Sequence, residues 1–284
     1  MKKVIRILVG IDIFAKSNNV LKRAIKVAKE NKAKLFVVYA VHTPWLAIPS
    51  YFGSEDVKVD IKGSKKKIEK RIQALNSKDK VPYTVLVKEG SADDILNYES
   101  KLLKVDMIII GANTSGEKNF LGSTAEKVAH KSHLSVLIVK ESVKDVYKNI
   151  VAPTDFQTQS KQSILFAKGL FTFAKIKPVH SSETIYLEGP YTTIGQDLTQ
   201  YNEIAKACAE RDLKALTKEL SIEKGKLLDG AVNSKKRLLA YINKGAFDLT
   251  VIGSRGSAGL NVLLGSIASS IIRKANTDVL VYVP

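Results

Sequence analysis

Apolar residues run almost unbroken from position 4 to position 11 and stop at Asp12. Continuous runs of that length, rich in Val and Ile, suit strands buried on both faces. A second pattern follows: over 17–30, Val20, Leu21, Ala24, Val27 and Ala28 recur at the spacing of one helical face. The two patterns then alternate. Buried strands are expected over 35–41, 83–87, 105–110 and 135–139. Helices are expected over 56–76 and 92–103, and from Gly122-Ser123 to about 131. A long connection over 42–54 carries Pro44, Trp45, Pro49, Tyr51 and Phe52.

The alternation then starts again. The stretch 150–155 matches 7–12, and Asp155 lies 143 residues beyond Asp12. Asp248 lies 142 beyond Asp106, and Gly253 lies 142 beyond Gly111. Gly265-Ser266 lies 143 beyond Gly122-Ser123, and Leu280 lies 143 beyond Leu137. Five landmarks at offsets of 142 or 143 residues indicate duplication of a whole domain. The expected domains are 1–142 and 147–284, joined through the polar stretch 141–148. Each copy reads as five strands alternating with helices, which implies an α/β fold with a doubly wound parallel sheet. In such sheets ligands bind beyond the carboxyl ends of the strands. With the strand order 3-2-1-4-5, Asp12 or Asp155 would face the glycine loop that ends the fourth strand.

That loop is the chemically richest stretch. In the second copy it reads Gly253-Ser254-Arg255-Gly256-Ser257-Ala258-Gly259, and Gly265-Ser266 opens the next helix. Glycines let backbone N–H groups approach a ligand, and a helix start offers free N–H groups at the positive end of its dipole. Together they suit an anion, most often phosphate. No lysine precedes Ser266, so this is not a P-loop, and it follows the fourth strand rather than the first, unlike the dinucleotide fingerprint.

Hydrophobic residues make up 45% of the 284, enough for well-formed cores. The net charge of +17 is uneven: residues 1–140 hold 26 basic and 14 acidic residues, the remainder 19 and 14. That excess favours polyanions without naming one. A single cysteine, Cys208, excludes a disulfide framework and reads as a small core residue. Lys2-Lys3 and the apolar run resemble the start of a signal peptide, but Arg6 and Asp12 interrupt it, and no apolar run reaches the length of a membrane span. The expected location is cytoplasmic.

The chain resembles the universal stress proteins, in a tandem form. The likeness rests on Pro153-Thr154-Asp155, on Gly230, on Ala246-Phe247-Asp248-Leu249 with Val251-Ile252-Gly253-Ser254-Arg255-Gly256, and on Gly265-Ser266. It implies an adenine-nucleotide alpha-hydrolase-like fold, a stress-response role, and ATP or AMP as ligand, with Mg2+ as an accompanying ion. The family's ATP motif has nine residues between its second and third glycines; here eight separate Gly256 from Gly265. By resemblance, Asp155 would contact the ribose or adenine side and Ser182, beside Ser181, the base. Gly253, Arg255, Gly256, Gly265, Ser266 and Ile267 would hold phosphate. The corresponding residues of the first copy are Asp12, Val41, Gly111, Gly122, Ser123 and Thr124. Gly111-Ala112-Asn113-Thr114 lacks the second glycine, so this copy is expected to bind weakly or not at all. The resemblance also implies an intramolecular pseudo-dimer through the fifth strands, 136–139 and 279–282, and leaves a homodimer open.

No catalytic set is visible: no G-x-S-x-G, no Cys with a partner His and no placeable carboxylate pair. Binding without efficient turnover is the expectation. A slow ATPase and a scaffold for a polyanion or a partner protein are the alternatives. His130 and His133 lack further metal ligands and read as a solvated helix end. His180 is expected to pack or cap at the second strand end. The lysines of 62–70 read as a solvated helix face rather than a nucleic-acid site, because no aromatics interleave them.

Overall fold

In the computed structural model, placement is described for residues 3–12, 17–41, 60–112, 122–140, 143, 145–183, 198–231, 233–254 and 264–284. The chain divides into two compact units, chiefly Met1–Val146 and Tyr147–Arg255 with Leu264–Tyr282.

Unit 1 contains β1 (Arg6–Ile11), α1 (Ser17–Asn31), β2 (Lys34–Val41), α2 (Ile61–Asn76), β3 (Tyr83–Glu89), α3 (Ala92–Leu102), β4 (Met107–Gly111), α4 (Ser123–Lys131) and β5 (Ser135–Val139). Its strands lie in the order β3-β2-β1-β4-β5, all neighbours parallel. Unit 2 contains β6 (Asn149–Pro153), α5 (Thr158–Leu170), β7 (Lys175–Glu183), α6 (Thr199–Leu220), β8 (Lys226–Ala231), α7 (Ser234–Lys244), β9 (Leu249–Gly253), α8 (Ser266–Lys274) and β10 (Asp278–Tyr282). Its order, β8-β7-β6-β9-β10, repeats that of unit 1, again with parallel neighbours. The order 3-2-1-4-5 read from the sequence therefore holds in each copy.

The apolar runs become the central strands because helices cover both faces. Ile7, Leu8, Val9, Val37, Met107, Ile109 and Leu137 are buried in unit 1, and Ile150, Val151, Val179, Val251 and Leu280 in unit 2. At roughly 1.5–3 kcal/mol for each large apolar side chain removed from water, these layers dominate the stability of each unit. On α1 the buried stripe of Val20, Leu21, Ala24, Val27 and Ala28 is the one that the helical spacing marked.

The fourth strand and Cys208 depart from the sequence expectations. The fourth strand was expected from position 105 but β4 starts at Met107. Asp106 turns its carboxylate back, and its Oδ2 accepts from the N–H groups of Ile5 and Arg6 at 2.9 and 3.0 Å. Unit 2 repeats the device: Asp248 Oδ2 accepts from the N–H groups of Lys148 and Asn149 at 2.9 and 2.8 Å. Cys208 is half-buried on α6, beside the buried stripe of Ala209, Leu213, Leu216 and Leu220 rather than in the core. The connection with Trp45 lies outside the described residues.

Candidate functional site

Each unit carries a cavity where β1 and β4, or β6 and β9, end. In unit 2 its volume is about 160 Å³, and it is walled by the ends of β6, β7 and β9 and the starts of α5, α7 and α8. Asp155, Gly253, Gly265 and Ile267, all marked in the sequence, line it. Ser182 does not; its neighbours His180 and Ser181 do. Ser266 opens α8 and is exposed. Arg255 and Gly256 lie outside the described residues.

The turn after β6 is built by side chains. Phe156 takes a left-handed backbone, φ 63°, which a bulky residue adopts only when its surroundings impose it. Its N–H donates to Thr154 Oγ1 at 3.0 Å, and the next N–H, of Gln157, donates to Asp155 Oδ1 at 3.1 Å. The Ser160 hydroxyl donates to the Gln157 carbonyl at 2.9 Å, so in the 3.0 Å contact between Thr154 Oγ1 and Ser160 Oγ the threonine is the donor. This stitching points the first turn of α5 at the cavity and leaves Asp155 exposed at its rim.

Two further helix starts meet the cavity, with different chemistry. At α7, the Ser234 hydroxyl and N–H donate to Glu183 Oε1 at 2.6 and 3.2 Å, and both bonds hold the Glu183 carboxyl below its usual range. That terminus already has its anion. At α8, Gly265 is the N-cap with φ −62° and ψ 162°, and no side chain caps the helix. The ladder begins with Ser269 N–H donating to the Gly265 carbonyl, so the N–H groups of Ser266, Ile267 and Ala268 have no acceptor within the helix. No acidic residue stands in its first turn. Among the described residues no acceptor or anion takes up this end.

On the wall at the end of β7, the His180 ring lies against Phe156 with centroids 4.5 Å apart, and its Nδ1 is 2.8 Å from the Thr154 carbonyl oxygen. The histidine thus packs as its position at a strand end led us to expect, and it also reaches the cavity.

The unit 1 cavity is about 180 Å³. Asp12, Gly111 and Thr124 line it, with Val38, Ala40 and Leu96 supplying an apolar wall. Val41 is buried at the end of β2 and Ser123 is exposed; neither is on that wall, nor is Gly122. Asp12 differs from Asp155: its Oδ1 accepts from the buried Ser17 hydroxyl at 2.6 Å, and its own N–H donates to Ser17 Oγ at 3.0 Å. Gly122 caps α4 as Gly265 caps α8, but Glu126 stands in the first turn and opposes an anion there. Sheet register equates positions of the two units. Gly10 and Ile11 pair with Val38 and Tyr39, while Pro153 pairs with Val179, so Tyr39 occupies the place of His180. Burial, and then the charge of Asp12, raise the Tyr39 hydroxyl above its usual range.

Among the described residues no group of three or more His, Cys, Asp or Glu gathers to hold a metal, and no helix is long and apolar enough to cross a membrane. Lys62, Lys65, Lys66, Lys67 and Lys70 are all exposed on α2, whose buried residues are Ile68, Ile72 and Asn76.

The sequence profile of the universal stress protein family matches residues 4–140 and again 146–283. A universal stress protein of Methanocaldococcus jannaschii is 30% identical over 151 residues, which span 51% of this chain and 85% of that protein. A protein of unknown function from Pseudomonas aeruginosa PAO1 has the same fold, with a TM-score of 0.73 at 16% identity over 98% of this chain and 92% of its own. A universal stress protein from Archaeoglobus fulgidus gives a TM-score of 0.65 at 19% identity, over 98% of this chain and 97% of its own. Two profile matches in tandem cover nearly the whole sequence: the chain belongs to the universal stress protein family.

Proposed function

We propose that this protein binds an adenine nucleotide, ATP or AMP, in the unit 2 cavity and serves a stress response as a binding module without efficient turnover. The observation that carries the reading is the uncapped start of α8 at Gly265, facing the same cavity as the Asp155 carboxylate. Free N–H groups and the helix dipole suit phosphate oxygens. The carboxylate at the rim of β6 suits the hydroxyl groups of a sugar. Phosphate binding at this end draws on Gly265, Ser266 and Ile267, with Arg255 and Gly256 contributing from the loop between β9 and α8.

Unit 2 is the better anion site of the two. Its α8 has no acid in the first turn where α4 has Glu126, and its acidic rim residue is exposed where Asp12 is tied to Ser17. Asp155 by itself supplies no mechanism for hydrolysis, which needs an oriented water and charge compensation at the transferred phosphoryl group.

Native mass spectrometry of the purified full chain tests the reading. A mass increment of one adenine nucleotide, removed by dialysis and restored by added ATP, is the expected result. A chain that stays at its bare mass in millimolar ATP would refute it.

A further inference from the structure

We propose that His180 selects the base of the bound nucleotide, its Nε2 accepting a hydrogen bond from an exocyclic amino group such as that at position 6 of adenine. This rests on the nucleotide reading above and adds to it the residue that discriminates among purines.

The tautomer follows from the geometry. The atom 2.8 Å from His180 Nδ1 is the carbonyl oxygen of Thr154, which can only accept. Nδ1 therefore carries the hydrogen. A neutral imidazole has one ring N–H, so Nε2 holds a lone pair and acts as an acceptor. Nothing among the described residues donates to it, and the half-buried histidine lines the cavity from β7, beside β6. The Phe156 ring, tilted 32° to the imidazole, fixes its plane from one side. The left-handed turn that brings Phe156 there is itself held by Thr154 and Asp155. Orientation and tautomer are thus both set before a ligand arrives.

A fixed acceptor discriminates by what it rejects. An amino group donates to it. A 6-oxo group, as in hypoxanthine or guanine, sets one lone pair against another and leaves both unsatisfied in a partly dehydrated site. Unit 1 has Tyr39 at the matching position, off its cavity wall, and so lacks this selection.

The test is equilibrium titration of the full chain with ATP and with ITP. ATP is expected to bind about tenfold or more tightly than ITP. Purine riboside triphosphate, with only hydrogen at position 6, should fall between them. His180→Phe, which keeps the ring contact and removes both nitrogens, should bring the ATP-to-ITP ratio near one by weakening ATP. Equal wild-type affinities for the three nucleotides overturn the proposal, and that measurement needs no variant. A ratio that survives His180→Phe also overturns it, as does an equal loss for ATP and ITP, which would place the histidine on the sugar or phosphate. Absence of binding by all three nucleotides refutes the nucleotide reading itself, and the selection with it; ATP and ITP bound alike refutes the selection alone.

Discussion

The carbonyl oxygen of Gln159 lies where a side chain at Gly253 would begin: a Cβ placed on Gly253 would sit 2.9 Å from that oxygen and 3.0 Å from its carbon. The glycine at the end of β9 is thus required first by the close crossing of α5. Its backbone can still face a ligand, but the missing side chain has a packing cause.

Gly253→Ala should therefore destabilise unit 2, because a backbone carbonyl cannot swing aside. Overpacking of this kind costs about 1–3 kcal/mol. Urea denaturation followed by circular dichroism would show a lower midpoint. An unchanged midpoint would mean that α5 yields at no cost.

The carboxylates of Asp106 and Asp248 each accept two N–H groups at the entry to a first strand. Asp248→Ala removes a charge-assisted pair at an exposed position, with an expected loss of about 1–2 kcal/mol, while Asp248→Asn keeps an acceptor and should lose less. Asp106 should behave likewise in unit 1. Thermal melts of the four variants check both the size and the parallel.

These two aspartates show what the sequence made legible. Their spacing of 142 residues, with that of Gly111 and Gly253, exposed the duplication and hence the strand order. The spacing gave no sign that both serve as clamps, because the acceptor role depends on strand neighbours about a hundred residues away. The bond from His180 to Thr154 spans 26 residues and that from Ser234 to Glu183 spans 51. Only the sheet register brings those pairs together. Pro153-Thr154-Asp155 and Gly265 were legible because strand ends and helix starts are local features. Arg255 and Gly256, equally marked in the sequence, lie outside the described residues.

Acid should reach the α7 start through Glu183. Its folded carboxyl sits below the ordinary value of 4.5, owing to the side-chain and then the backbone hydrogen bond from Ser234. A lowered folded value means that the unfolded state takes up the proton first as pH falls. The stabilisation is therefore complete above 4.5 and is lost as pH drops through the lower folded value. Glu183→Gln should flatten this part of the acid limb in stability measured from pH 7 to pH 2. A variant curve parallel to that of the wild type throughout would contradict the assignment.

Gly265→Asp separates fold from binding. The N-cap backbone at φ −62° and ψ 162° accepts an L-residue, and aspartate is a better cap than glycine by a few tenths of a kcal/mol. The helix should hold or gain stability while the new carboxylate occupies the N–H groups assigned to phosphate.

Isothermal titration of the full-length protein and its Gly265→Asp variant with ATP tests the central claim most directly. The account predicts a saturable site in the wild type, lost or weakened at least about tenfold in a variant whose melting temperature is not lowered. Undiminished ATP binding by the folded variant, or none by the wild type, would contradict it.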